Sequence, residues 1–450
     1  PDLSPDGSWL VYSLRSTDLP RGTYNRDLYR VPVVGGEPRR LTWTDDASES
    51  SPAWSPDGKF IAFVARRGEQ EHAQIWLLPA QGGEARSLTE ISTGISDPVW
   101  SPDGKRIAFA SEVYPECGAD DECNRKLDEQ REEGPLAAHV ADELLYRHWA
   151  FWYDGKVSHV LMVDVESGAV RDMTPGEREA PVFSAGGGHG FEFSPDGKEL
   201  CYTRNPDPRE KLAWSTNSDL WVVPVEPDEG GSTRAAVNIT AKNPAWDGTP
   251  RYSPDGRYIA YRTQSIPGYE SDLIRLALYD REKKSVRLLA AGFDNWVFDH
   301  AWLSGSDGLV FTAPFEGRTP LYSVALDGSP ASKLAEHAYI DSFALSRDGK
   351  KAYVARRSVG QPGELWSLDL EGGAAPLRLT RHNLALEEEV DIRPAETIWV
   401  DGADGRQIQV FVVKPHGFDP SKRYPLILNV HGGPQGMWAD SFRGDWQVYP

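Results

Sequence analysis

One two-part pattern is written seven times across residues 1–380, and this repetition restricts the fold more than any other feature of the chain. The first half is a strand, a tight turn and a second strand. It reads Leu3-Ser-Pro-Asp-Gly7, Trp54-Ser-Pro-Asp-Gly58, Trp100-Ser-Pro-Asp-Gly104, Phe193-Ser-Pro-Asp-Gly197 and Tyr252-Ser-Pro-Asp-Gly256, with weaker copies at Leu303–Gly308 and Leu345–Gly349. Proline presets the second position of a turn, aspartate tolerates the next, and glycine closes it. An alternating strand follows, as in Phe60-Ile-Ala-Phe-Val64 and Arg106-Ile-Ala-Phe-Ala110. The second half is another hairpin ending in a Leu-Thr signature: Leu41-Thr42, Leu88-Thr89, Met173-Thr174, Ile239-Thr240 and Leu379-Thr380.

Each unit supplies four short strands at a common spacing of about 45–50 residues, which is the signature of a propeller blade. A single blade cannot bury both of its faces, so the units must stack around an axis. Seven first halves and seven second halves predict a mainly-β chain with a seven-bladed β-propeller over 1–385. The sixteen tryptophans suit the broad contacts between blades. Between the two halves of the third unit lies an insertion, residues 111–158, rich in charge and then in aromatics, and expected to be partly helical near Asn124–Glu133. A long interruption of a regular array is the place to look for function.

The bulk numbers narrow the partners. A net charge of −20 and a pI near 5.0 argue against nucleic acid and anionic membrane surfaces. No apolar run reaches the roughly 20 residues that span a bilayer. No histidine, cysteine or carboxylate set has metal-ligand spacing, so neither metal nor cofactor is expected. Cys117 and Cys123 sit close together in the insertion, as a disulfide or as two free thiols, while Cys201 follows a turn on a strand and is expected to be buried. The chain opens inside a strand, so further residues are expected upstream.

After Thr380 the repeat stops. Residues 386–394 read as a polar linker in which Glu387-Glu-Glu389 is a solvated charge run. From 395 to 450 the pattern changes. Thr397–Val400, the turn Asp401-Gly-Ala-Asp-Gly405 and Ile408–Val413 form a strand–turn–strand. Leu426-Ile-Leu-Asn-Val430 then reads as a strand of a sheet covered on both faces, followed directly by His431-Gly-Gly-Pro434. Glycines after such a strand let backbone N–H groups approach a developing oxyanion, which marks the N-terminal strands of an α/β-hydrolase domain.

With these motifs in place, the chain resembles the prolyl oligopeptidase family of serine peptidases along essentially all 450 residues. The His-Gly-Gly-Pro form is similar to that of its acylaminoacyl- and dipeptidyl-peptidase branches. Within the insertion, Glu143-Leu-Leu-Tyr-Arg-His-Trp149, Trp152, Asp154-Gly-Lys156 and Ser158-His159 resemble the dipeptidyl peptidase 5 group. The resemblance implies release of dipeptides from free N-termini of oligopeptides after small or hydrophobic residues, with an acylaminoacyl peptidase as the neighbouring reading. It implies a periplasmic or secreted location, or a cytoplasmic one for an acylaminoacyl peptidase, and self-association into a homodimer is a further expectation. A non-catalytic TolB-like binding propeller shares the Ser-Pro-Asp-Gly repeats but gives no reason for residues 395–434.

The family requires a Gly-x-Ser-x-Gly elbow, and none occurs here, so the nucleophile is expected beyond residue 450 and residues 1–450 alone should be inactive. By resemblance, the amide of Gly433 is one oxyanion donor. Glu143 is the candidate partner of a substrate α-ammonium, walled by Tyr146, His148, Trp149 and Trp152, because a carboxylate pairs the charge and aromatic faces attract it. The plainer alternative is a surface glutamate beside aromatics that pack the insertion onto its blade.

Overall fold

The computed structural model describes residues 1–450 except 45–46, 136–137, 143, 149–150, 183–189, 336–338, 433–435, 445–446 and 448–450, and the side chains of 148 and 151. Its propeller has seven sheets of four antiparallel strands: blade 1 over 2–40, blade 2 over 50–87, blade 3 over 96–172, blade 4 over 191–238, blade 5 over 247–289, blade 6 over 299–335 and blade 7 over 339–378. Each blade draws its four strands from one stretch of chain, blade 3 with a two-stranded ribbon inserted between its second and third strands, so among the described residues no strand is exchanged between the first blade and the last.

The repeated residues have repeated jobs. In the first-half turn the serine hydroxyl donates to the aspartate, as Ser4 does to Asp6 at 2.6 Å and Ser101 to Asp103 at 2.6 Å. The same hydroxyl accepts the N–H five residues on, Trp9 at 2.9 Å and Arg106 at 3.0 Å. The aspartate also accepts the N–H two residues on, and the closing glycine sits at φ 74° in Gly7 and 69° in Gly104, a conformation only glycine takes freely. Hydrogen bonds from Ser4 and then Ser8 hold the Asp6 carboxyl down at about 2. These aspartates are occupied by their own turns.

The Leu-Thr signature has an equally local cause. The threonine hydroxyl accepts a backbone N–H of the third strand at 2.9 Å in five blades: Leu28 on Thr42, Ile75 on Thr89, Val160 on Thr174, Leu220 on Thr240 and Leu365 on Thr380. The threonines are buried, so a methyl in place of the hydroxyl strands an N–H, a loss of about 1–3 kcal/mol per site.

Strand alternation builds the core as seven seams, one between each pair of neighbouring blades. In blade 2, Ile61 and Phe63 face blade 1 while Ala62 and Val64 face blade 3, where Ile107 and Phe109 meet them. Ala108 and Ala110 then turn to blade 4 and meet Phe191, Phe193 and Tyr202. Large residues on one face and small ones on the other give seams of similar thickness, which is why Ile-Ala-Phe recurs. The last seam, between blades 7 and 1, is closed by side chains alone: Leu10, Tyr12, Val31, Tyr353, Leu365 and Leu379, with the Tyr12 hydroxyl 2.7 Å from Nε2 of His382.

Strand direction sorts the loops. The Ser-Pro-Asp-Gly turns and the turns between third and fourth strands lie on one face. The loops between second and third strands, and those leading to the next blade, lie on the other. The second face carries the blade 3 insertion and receives the chain as it leaves blade 7. There a hairpin, Ala395–Asp401 with Gln407–Val413, extends from the ring. It docks on the loops of blades 6 and 7. Gln409 Nε2 donates to the Glu316 carbonyl at 2.9 Å, and the Phe411 ring lies where a Cβ on Gly317 would be, 2.2 Å from its nearest atom. Asp440 accepts the Val359 N–H at 2.9 Å and lies 3.5 Å from Arg318.

Three sequence readings are corrected here. The insertion runs over 114–156, because blade 3 strands extend to Val113 and resume at Val157. The charge run 387–389 is only partly free: Glu388 and Glu389 are exposed, but Glu387, in the short helix Leu384–Glu389, is half-buried and binds Arg378 at 2.8 Å. Residues 426–430 pair with no strand among the described residues, and Leu426 and Val430 are 85% and 79% exposed. An apolar run is a strand only where a neighbour accepts its backbone bonds and covers its side chains.

Candidate functional site

The insertion opens with Tyr114 and a helix, α1, over Asp121–Glu132. It starts three residues earlier than expected because Asp120 caps it, accepting the Cys123 N–H at 3.1 Å, with Asp121 and Glu122 in the first turn. Cys117 and Cys123 are joined in a disulfide, Cα–Cα 5.5 Å, across the start of α1. Buried Asn124 accepts the Tyr114 N–H at 2.9 Å and donates to Gly118 and Asp120 carbonyls. The Tyr114 hydroxyl donates to Asp128 at 3.0 Å, and Lys156, where the chain returns to the blade, reaches the same carboxylate at 3.0 Å. Helix and base therefore form one pinned unit. Cys201 lies apart from it, a buried thiol on blade 4.

The second half of the insertion is a two-stranded ribbon, Arg147–His148 with Phe151–Trp152. Tyr146 and Trp152 are 41% and 45% exposed, with ring centroids 6.0 Å apart. His139 stacks on Trp152 at 4.3 Å, and the Arg147 guanidinium lies 5.8 Å from its ring. Two expected wall residues are thus brought together on an open surface. Glu143 and Trp149 lie outside the described residues, as does Gly433, and for His148 only the backbone is described, in the ribbon. Before Gly433, His431 and Gly432 are exposed, and the His431 ring stacks on Trp438 at 5.6 Å.

At the root of the insertion the structure adds residues that the motifs did not single out. Glu112, near the end of a blade 3 strand, is solvent-exposed, yet the protein crowded around it, then Glu179 and Asp154, push its carboxyl up to about 7. The Tyr153 hydroxyl bonds Glu179, and its ionisation is raised by burial and by that carboxylate. His159, fully buried beside them, spans Asp172 at 2.7 Å and the Gly176 carbonyl at 2.9 Å. Glu179 and Asp154 add negative charge around Glu112, near one lysine, Lys156, whose ammonium is shared with Asp128 and Asp154. Such an excess of negative charge favours an added cation with hydrogen-bonding protons. The available signal in the sequence was the charge inside an otherwise apolar strand, Phe109-Ala-Ser-Glu-Val113. Among the described residues no group of three or more metal-ligating side chains gathers, and no helix is long and apolar enough to cross a membrane.

The chain is similar to several known proteins. The TolB β-propeller domain family matches residues 1–123. Dipeptidyl-peptidase 5 of Porphyromonas gingivalis is 30% identical over 99% of this chain and 63% of its own length. A peptidase of Bacillus subtilis named YuxL, uncharacterized, is 28% identical over 100% of this chain and 66% of its own. The acylaminoacyl peptidase of Pyrococcus horikoshii superposes with a TM-score of 0.74 at 18% identity, covering 100% of this chain and 62% of that one. The chain thus spans about two thirds or less of the length of these three proteins.

Proposed function

We propose that the chain is a member of the prolyl oligopeptidase family of peptidases, a reading supported by its 30% identity to dipeptidyl-peptidase 5, and that it is the propeller and first catalytic-domain segment of a serine exopeptidase that releases dipeptides from free N-termini of oligopeptides. The observation that carries this reading is the negative charge at the root of the insertion, Glu112 with Glu179 and Asp154, on the propeller face that also bears the exposed aromatics Tyr146 and Trp152 and receives the hairpin 395–413. Exopeptidase chemistry needs a stop that holds the substrate's ammonium at a fixed distance from the scissile bond. A hydrolase domain on that face would look across the ring from blades 6 and 7 toward blade 3. Glu143, Glu112 and Glu179 supply charge, Tyr153 a hydroxyl, and Tyr146, Trp149 and Trp152 the walls. Gly433 supplies an oxyanion donor after His431-Gly432. The identity to dipeptidyl-peptidase 5 supports this choice over the acylaminoacyl reading, in which this charge would face a neutral amide and serve nothing. An extracytoplasmic location goes with it, and the Cys117–Cys123 disulfide suits an oxidising compartment.

The test compares chromogenic dipeptidyl substrates with free and with N-acetylated termini on the complete protein. A kcat/KM at least ~10-fold higher for the free amine is expected, since a charge-assisted contact contributes about 1.5–3 kcal/mol. Equal rates, or a preference for the acetylated series, would turn the assignment to the acylaminoacyl branch.

A further inference from the structure

The buried threonines that end the second half of each repeat are surrounded by ionisable residues at fixed offsets. The positions are the residue before the N–H donor, the residue two before the threonine, and the residue seven after it. In blade 1 they are Asp27, Arg40 and Glu49, and in blade 7 Glu364, Arg378 and Glu387. Charge is matched at both nodes. Arg40 binds Asp27 at 2.7 Å and Arg67 binds Glu49, while Arg378 reaches Glu364 at 3.1 Å and Glu387 at 2.8 Å. In blade 3 the pair is His159 with Asp172, and in blade 2 the neutral Gln74 with Ser87.

Blade 4 breaks the rule. It keeps both acids, Asp219 and Asp247, but Asn238 replaces the arginine, and Ser265 stands where Arg67 stands when counted along the same strand of the next blade. Asp247 is in the place of Glu49, its N–H on the Ser218 carbonyl at 2.7 Å as that of Glu49 is on Arg26 at 3.1 Å. Asp219 and Asp247 are 1% and 0% exposed. The Thr240 hydroxyl is within bonding reach of both carboxylates. Every other donor is neutral: Asn238 Nδ2 to Asp219 at 2.6 Å, and Asn243 Nδ2 and the Thr263 hydroxyl to Asp247 Oδ1 at 2.8 and 2.6 Å. Asp219 Oδ1 and Asp247 Oδ2 are buried without a hydrogen-bond partner among the described residues. The other charged or titratable groups facing the pair are Asp207 and the Tyr261 phenol; among the described residues no lysine, arginine or histidine pairs with either acid.

We infer that the Asp219–Asp247 pair holds one proton in the place of the missing arginine, so that the seam between blades 4 and 5 loosens as that proton leaves. A metal ion is the weaker occupant. Both asparagine carbonyls are turned away, accepting Thr240 and Ala245 N–H groups at 3.1 and 3.2 Å, which leaves N–H donors rather than oxygen ligands facing the acids. A shared proton is the general outcome when two carboxylates are buried together. Burial pushes Asp247 up to about 7 and Asp219 above its ordinary range. The folded state therefore keeps a proton that the unfolded chain releases near pH 4, and stability from this pair falls as pH rises from about 4 to about 7.

The inference goes beyond the proposed peptidase activity and does not depend on it. The infrared difference between the wild type and Asp247→Asn, on the complete protein, should contain a carboxylic C=O band that fades through pH 7. The Tm of the wild type should fall by several degrees more than that of Asp247→Asn between pH 5 and 8, and Asn238→Arg should flatten the wild-type curve. No carboxylic band at pH 5.5 in that difference spectrum, or a Tm raised by added Ca²⁺ at pH 8, would overturn the shared proton.

Discussion

Replacing Gly433 by proline in the complete protein should lower kcat for dipeptidyl substrates by ~10²–10³-fold, with KM changed little, because one oxyanion-hole donor typically carries that much. The substitution removes the N–H itself, and an oxyanion exists only in the transition state and the intermediates, so the loss belongs in kcat. Its neighbours make the reading specific. His431 and Gly432 are exposed and directly follow the apolar run Leu426–Val430 in the sequence. Steady-state kinetics on protein with unchanged circular dichroism checks it. Near-normal kcat would remove Gly433 from the hole.

Glu143→Gln should cost ~10–100-fold in kcat/KM for free dipeptidyl substrates and little for N-acetylated ones, because a charge-assisted contact to the ammonium is lost while the chemistry is untouched. Glu112→Gln should act in the same sense and also change the pH profile. With its carboxyl near 7, Glu112 gains its charge only as pH rises through neutrality. In the wild type kcat/KM for free amines should therefore fall as pH drops below about 7, and the variant should lose that limb. Equal losses on both substrate series would show that these glutamates hold the insertion in shape rather than bind substrate.

The propeller was legible because its devices are local. Ser4, Asp6 and Gly7 satisfy one another within a turn, Thr42 needs only Leu28, and Ile61 and Ala62 announce two faces by alternation. The helix at Asp121–Glu132 was visible from composition, but its start was set by the Asp120 cap. What the sequence hid was long-range pairing. Glu387 looked like part of a charge run until Arg378 was placed beside it, 9 residues away in the chain but across a turn. Glu112 fell within the expected insertion without being singled out, and its setting came from Glu179 and Asp154, distant in the chain. The Leu426–Val430 run shows the converse: apolar composition describes what a segment requires, and the covering it requires has to come from other residues.

The central claim is that the blade 3 insertion measures two residues from a free N-terminus. The most direct test is a crystal structure of the complete protein trapped with a dipeptidyl phosphonate that labels the catalytic serine. The account predicts the inhibitor's ammonium about 2.7–3.2 Å from a carboxylate at the insertion or its root, Glu143, Glu112 or Glu179, with Tyr146 or Trp152 alongside. An ammonium held by another blade, or left in the open channel with the insertion turned away, would contradict it.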